Sequence, residues 1–322
     1  MDDNINHEHD LGYKHILSHK KNFMEFLRSF VKKDWVELIK EENLILIDKE
    51  FIQEDFKEEE ADIVYKVNID GKDIIFYILL ELQSKVDFRM PIRLLMYMTE
   101  IWRDELKNTQ DNMKKRKDYR LPAIIPMVLY NGKNNWTAAR NFKEILNGYE
   151  LFEDNIIDFR YLLFDINRMD KEELIEIANV VSSIFLLDQN VEVDEIINRL
   201  KIIGKIIKKG ATKEQEKAFR SWIINIFRNR FEGEVKDNIY ELLVETSKME
   251  VDDMVSNLGK KLEEELKHRE EKGAQQERDK IKKEQIERIK KALKRGYSTE
   301  IIMEILEVSA EEIEKVKEQL IH

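Results

Sequence analysis

Apolar and polar positions alternate with a period of two from Ala61 through Asp62, Ile63, Val64, Tyr65, Lys66 and Val67 to Ile69, the pattern of a half-buried strand. Asp70-Gly71 then supplies a two-residue turn, and Lys72 to Gln83 is almost wholly apolar until Glu81 and Gln83. With Asp70 and Gly71 as the loop, Ile69 faces Lys72, Tyr65 faces Phe76, Ile63 faces Ile78 and Asp62 faces Leu79. Ile63, Tyr65, Val67, Ile74, Phe76, Ile78 and Leu80 then share a core face, and Asp62, Glu81 and Gln83 fall together on the other.

Helical periodicity flanks this hairpin. Residues from His9 to about Val31 place Leu11, Ile16, Phe23, Phe26, Leu27 and Phe30 on one side. Arg89–Leu106 carries an apolar stripe of Leu94, Leu95, Met98, Ile101 and Trp102, with Arg93, Tyr97 and Glu100 on a more polar side. Leu44–Ile47, Ala123–Leu129 and Ile157–Phe164 are the remaining strand candidates, although Asp158 to Leu163 suits a loop equally. Interleaved strands and helices predict an α/β core with a mixed sheet.

From Lys171 onward the pattern is helical, with candidates at Leu174–Leu187, Val193–Lys208, Lys213–Phe231 and Val235–Met249. Lys260–Arg295 reads as one long polar helix, net basic from Gln276, and Gly296 breaks it. Ser298–Glu307 and Ser309–Leu320 follow as two short helices, the second opened by a Ser309-x-x-Glu312 capping box. The expected organisation is a core over 1–168, a helical region over 169–250, a long charged helix over 251–296 and a helix-turn-helix-like tail over 297–322. The tail serves either as a DNA reader or in helical packing and homo-oligomer formation.

Composition narrows the function classes. Of the 322 residues, 38% are charged and 42% hydrophobic, which suits a soluble cytoplasmic protein. No apolar run is long enough for a bilayer, so no membrane partner is expected, and Met1-Asp2-Asp3-Asn4 lacks the features of a signal peptide. The absence of cysteine excludes disulfide and thiolate chemistry. A net charge of −11 argues against nucleic-acid binding by bulk charge, yet leaves room for a nuclease whose metal and local cations handle phosphate.

Asp62 and Glu81 are the first candidates for chemistry. In the register above they lie diagonally, roughly 7–8 Å apart at the backbone, so both carboxylates can reach one ion. Two converging acids are costly unless a cation lies between them. The alternative is that Asp62 ends the solvated acidic run Glu58-Glu59-Glu60 and that Glu81 and Gln83 are a strand end meeting water.

A set of short motifs carries a family resemblance. His9-Asp10-Leu11-Gly12-Tyr13-Lys14 opens the first helix, followed in order by Asp62-Ile63-Val64-Tyr65-Lys66-Val67, Leu80-Glu81-Leu82-Gln83-Ser84 and Arg93-Leu94-Leu95-Met96-Tyr97. Pro126-Met127-Val128-Leu129-Tyr130-Asn131-Gly132 and Trp136-Thr137 complete it. Together they resemble the Rpn (YhgA-like) family of recombination-promoting nucleases and transposase-like proteins, within the PD-(D/E)xK superfamily. The resemblance covers about residues 8–165 well and the helical region only loosely.

The resemblance implies a restriction-endonuclease-like core and a metal-dependent DNA endonuclease linked to recombination or mobile-element activity. Asp62 and Glu81 would be carboxylate ligands, with the backbone carbonyl of Leu82 as a further donor, and hard oxygen donors suit Mg²⁺, or Mn²⁺ and Ca²⁺. Gln83 stands where the superfamily has lysine; it carries no charge and can only orient a water through its amide. Lys85 or Lys66 would then supply the missing charge. Asp10 is either an extra carboxylate or an acid favoured by the helix N-terminus. Arg93 and Tyr97 either touch phosphate or pack against the sheet. The competing expectation is a catalytically inactive, nuclease-derived DNA- or protein-binding scaffold.

Overall fold

The computed structural model describes residues 11–47, 63–81, 86–152 and 155–321. The chain divides into two compact units, Met1–Lys261 and Leu262–His322.

The Asp70-Gly71 turn organises the first unit. Both residues have positive φ, 50° and 76°, the mirror-image turn that matches strand twist, so β2 (Ile63–Ile69) and β3 (Lys72–Glu81) pair in the register the sequence predicts. Ile69 faces Lys72, Tyr65 faces Phe76 and Ile63 faces Ile78. β1 (Leu44–Ile47) adds antiparallel to β2, while β4 (Ala123–Tyr130) and β5 (Leu162–Asp165) add in parallel beyond β3. The result is a five-stranded mixed sheet in the order β1-β2-β3-β4-β5.

One face of the sheet packs on the first helices. Phe23 stacks on Tyr65 at 4.1 Å, and Phe26 meets Phe164 edge-on at 4.8 Å. The other face is also buried, which the polar alternation of β2 does not suggest. The parallel pairing of β3 with β4 requires a crossover, and the crossover helix α3 (Met90–Asn108) covers that face. Val64, Ile75, Tyr77 and Val128 from the sheet pack there with Met90, Leu94, Tyr97 and Ile101.

The helix predicted from His9 to Val31 is broken. Residues 11–17 form α1 and Lys20–Phe30 form α2, separated at Ser18-His19. The carbonyls freed there are satisfied from inside: the Tyr65 hydroxyl donates to Leu17 O at 3.1 Å and Ser18 O at 2.6 Å, and Asn22 Nδ2 donates to Ile16 O at 2.9 Å. The expected strand Ile157–Phe164 shortens to β5 because residues before it pair across a loop, where Phe142 N donates to Phe159 O at 2.9 Å. α4 (Asp111–Lys114) is a single turn after α3.

The predicted helix Leu174–Leu187 is two helices, α5 (Lys171–Ile177) and α6 (Val180–Asp188). Ala178 turns left-handed with φ 51°, and Asn179 with Ser182 forms a reciprocal capping box that starts α6. α7 (Val193–Gly210), α8 (Lys213–Asn225) and α9 (Gly233–Glu245) follow, and α10 (Val251–Lys294) begins in this unit.

In the second unit α10 continues, polar on every side and exposed from residue 267 to 284. Gly296, with φ 82°, ends it. α11 (Thr299–Leu306) and α12 (Ala310–Ile321) then fold back on its last turns, where Ile302, Val308, Ile313 and Val316 bury Ile289. The Ser309 box forms as expected, with Ser309 N donating to Glu312 Oε2 at 2.8 Å.

Candidate active site

Glu81 is the last residue of β3 and pairs with Tyr130, which pairs with Asp165. Three strand ends therefore lie in one row at the carboxyl edge of the parallel strands, where open α/β sheets most often bind ligands. Position 81 has the same parity along β3 as Ile75 and Tyr77, so the row belongs to the α3 side. β2 starts at Ile63, directly after Asp62, and Ile63 faces Ile78. Asp62, Leu82, Gln83, Lys85 and Asp10 lie outside the described residues, as does the side chain of Glu81. Among the described residues no group of three metal-ligating side chains gathers.

The residues at the start of α3 form an ion-paired cluster. Arg93 Nη1 donates to Asp87 Oδ2 at 3.0 Å, and Asp87 also accepts from the Arg89 backbone N–H at 2.8 Å and Nε at 3.1 Å. Burial alone would raise the Asp87 carboxyl; the two guanidiniums outweigh it and hold it below the usual carboxylate range. An acid three residues before Met90, the first residue of α3, thus fixes two cations at the start of that helix.

Tyr97 takes the second of its two readings and packs against the sheet. It is 5% exposed, with its ring 5.3 Å from that of Tyr77. The inward stripe of α3 runs Met90, Leu94, Tyr97, Met98 and Ile101, so Tyr97 belongs to the apolar side rather than the polar one expected. Lys66 cannot supply charge near Glu81. It bridges Asp73 at 2.9 Å and Glu105 at 3.5 Å, and its strand partner Ile75 lies six residues, about 20 Å, from Glu81.

Sequence reasoning missed two features of this edge. Asp165 is half-buried; burial pushes its carboxyl above the usual range, against the opposing pull of Arg168 Nη1 at 3.3 Å. Behind the row lies a buried polar network. Asp188, 5% exposed, accepts from the Tyr13 hydroxyl at 2.7 Å and from Asn131 Nδ2. Asn167 Nδ2 donates to Asn131 Oδ1 at 2.6 Å, and Arg230 donates to the carbonyls of Leu187 and Gln189. The network joins α1, the loop after β4 and the carboxyl end of α6. The available signal was a lone acid, Asp188, closing the apolar run Ile184–Leu187.

A family model described as "Putative transposase, YhgA-like" matches residues 7–218. Recombination-promoting nuclease RpnD of Escherichia coli O157:H7 is 28% identical over 127 residues, 39% of this chain and 46% of that protein. Recombination-promoting nuclease RpnC of Escherichia coli K12 is 27% identical over 125 residues, 39% of each chain. Inactive recombination-promoting nuclease-like protein RpnE of the same strain is 21% identical over 214 residues, 65% of this chain and 67% of its own. The chain thus matches less than half the length of either of the two nucleases. No solved structure matches it.

Proposed function

The chain belongs to the YhgA-like transposase family, and on that premise we propose that it is a metal-dependent DNA endonuclease with a PD-(D/E)xK-like core. The observation that carries the reading is the hairpin register. It ends β3 at Glu81 on the carboxyl edge of the parallel strands, and the register predicted from the sequence would put Asp62, outside the described residues, opposite Leu79 and diagonal to Glu81.

The donor chemistry fits a hard divalent cation. Two carboxylates from Asp62 and Glu81 and the Leu82 carbonyl are oxygen donors suited to Mg²⁺ or Mn²⁺, and nothing in that set favours a softer metal. When bound, such an ion supplies charge for the scissile phosphate and acidity for a water. The chain's own residues do the rest. Asp62 and Glu81 would hold the ion, and the Gln83 amide would orient the attacking water. Lys85, with the Arg89 and Arg93 cations that Asp87 fixes, offsets phosphate charge.

Incubating supercoiled plasmid with the protein and Mg²⁺ or Mn²⁺ tests this. Cutting is expected to need metal and to disappear in Asp62→Ala and Glu81→Ala. A folded wild type that neither cuts nor gains melting temperature with either ion would overturn the reading. A second reading, a scaffold that binds without cutting, draws support from the longest of the three alignments, which is to a relative named inactive. That scaffold is the expected outcome if DNA binds and stays intact in the presence of metal.

A further inference from the structure

We propose that the groove at the opposite end of the β3-α3-β4 unit, with the loop over residues 114–120, is a second DNA-backbone contact surface. It lies about nine base pairs from the candidate active site and rests on the nuclease reading above.

The groove has a volume of about 580 Å³ and lies between the β2-β3 turn and the segment before β4, with Lys72, Arg116, Tyr119 and Arg120 among its walls. The carboxylates there are already engaged. Lys66 bridges Asp73 and Glu105, and Arg116 pairs with Asp118 through two contacts at 2.6 and 2.9 Å. Lys72, Lys115 and Lys117 are exposed, with no ion-pair partner among the described residues, and Arg120 donates only to the carbonyls of Lys117 and Tyr119. The Tyr119 hydroxyl is buried without a hydrogen-bond partner. A concentration of uncompensated cations on a chain of net charge −11 is a local anion site that bulk charge does not predict.

α3 links the two ends. Its exposed positions are Ile92, Met96, Thr99, Arg103 and Leu106 to Asn108, and none is acidic. Glu100 is turned to Arg103 and Glu105 to Lys66. Asp104, the one carboxylate of α3 without an ion pair among the described residues, is half-buried and accepts from Asn108 Nδ2 at 3.0 Å. A lane with only that carboxylate outside an ion pair therefore runs from the Arg89–Arg93 pair to the loop cations. From Lys72 to Glu81, β3 takes nine steps of about 3.3 Å, roughly 30 Å in all. A duplex rises about 3.4 Å per base pair, so roughly nine pairs span the lane. Regularly spaced phosphates suit separated cations on a rigid scaffold better than the compact charge of an acidic peptide.

The test is fluorescence anisotropy of a labelled duplex of about 30 base pairs in Ca²⁺, or in chelator if Ca²⁺ supports cutting. Full-length wild type is compared with the triple variant Lys115→Ala, Lys117→Ala, Arg120→Ala and with a control triple at the exposed Lys209, Lys213 and Lys217. Melting curves verify that all three are folded. The loop variant is expected to bind at least about a hundredfold more weakly at about 0.1 M salt, with the logarithmic salt slope reduced by about three; the control should change neither. Unchanged affinity and slope in the loop variant overturns the proposal even if the plasmid is cut. Wild type that binds no DNA, or binds polyglutamate more tightly than DNA, also overturns it. Salt-sensitive binding lost in the loop variant, with no plasmid cutting, upholds the surface while the nuclease reading falls.

Discussion

Removing the Tyr13 hydroxyl isolates the contribution of the buried network behind the strand-end row. The hydroxyl donates to Asp188 at 2.7 Å in a fully buried setting, where burial first and then the Asp188 charge raise the phenol well above its ordinary value. A hydrogen bond to a charged acceptor is worth roughly 1.5–3 kcal/mol, so Tyr13→Phe should cost about 2 kcal/mol, a roughly thirtyfold fall in the folded-to-unfolded ratio. Asp188→Ala should cost more, about 3–5 kcal/mol, because it strands the Tyr13 and Asn131 donors and leaves the buried Arg230 without its compensating charge. The double variant should cost less than the sum of the two singles. Urea unfolding followed by tryptophan fluorescence is the assay, since Trp35, Trp102, Trp136 and Trp222 all lie in the first unit. A Tyr13→Phe cost below about 0.5 kcal/mol, or strict additivity with Asp188→Ala, would refute the reasoning.

Other expectations follow from the same geometry. Because burial raises the folded-state Asp165 carboxyl above its ordinary 3.8, its ionised form destabilises the fold. Stability from its retained proton is full below the unfolded value and is lost as pH rises through the folded one. Asp165→Asn should therefore raise the melting temperature at pH 7, and the gain should vanish in melts run below about pH 4. Gly132→Ala places a Cβ 2.0 Å from the Tyr130 hydroxyl, which donates to Asn134 O, and should cost roughly 1–3 kcal/mol in the same urea assay. Ile302→Asp puts a charge into the Ile289 cluster; circular dichroism should lose helicity from the last three helices while tryptophan emission holds.

The hairpin was legible to the residue because Asp70-Gly71 leaves one economical turn, and a single register then places every apolar side chain. The terminal capping box was legible for the same reason, since local chemistry at Ser309 and Glu312 decides it. What failed were features set by distant parts of the chain. The α1–α2 break depends on a tyrosine hydroxyl from β2, and the burial of Val64 depends on a helix some thirty residues on. Tyr97 was misplaced because its hydroxyl suggests a polar side while its helical phase puts the ring in the core. Of the site, sequence gives the motif order and the ladder. It gives no hint that Asp165 joins the row, because β5 alternates too weakly to announce its own register.

The mixed pairing of the sheet also sets an order in time. The β2-β3 hairpin closes over two residues and can form within microseconds, using contacts near in sequence. The β3-β4 pair must wait for about forty intervening residues and for α3 to bridge them, and β5 pairs later still. A chain emerging from the ribosome therefore displays this hairpin well before Tyr130 and Asp165 complete the row beside Glu81. Whatever chemistry that row supports is withheld until half the protein has been made.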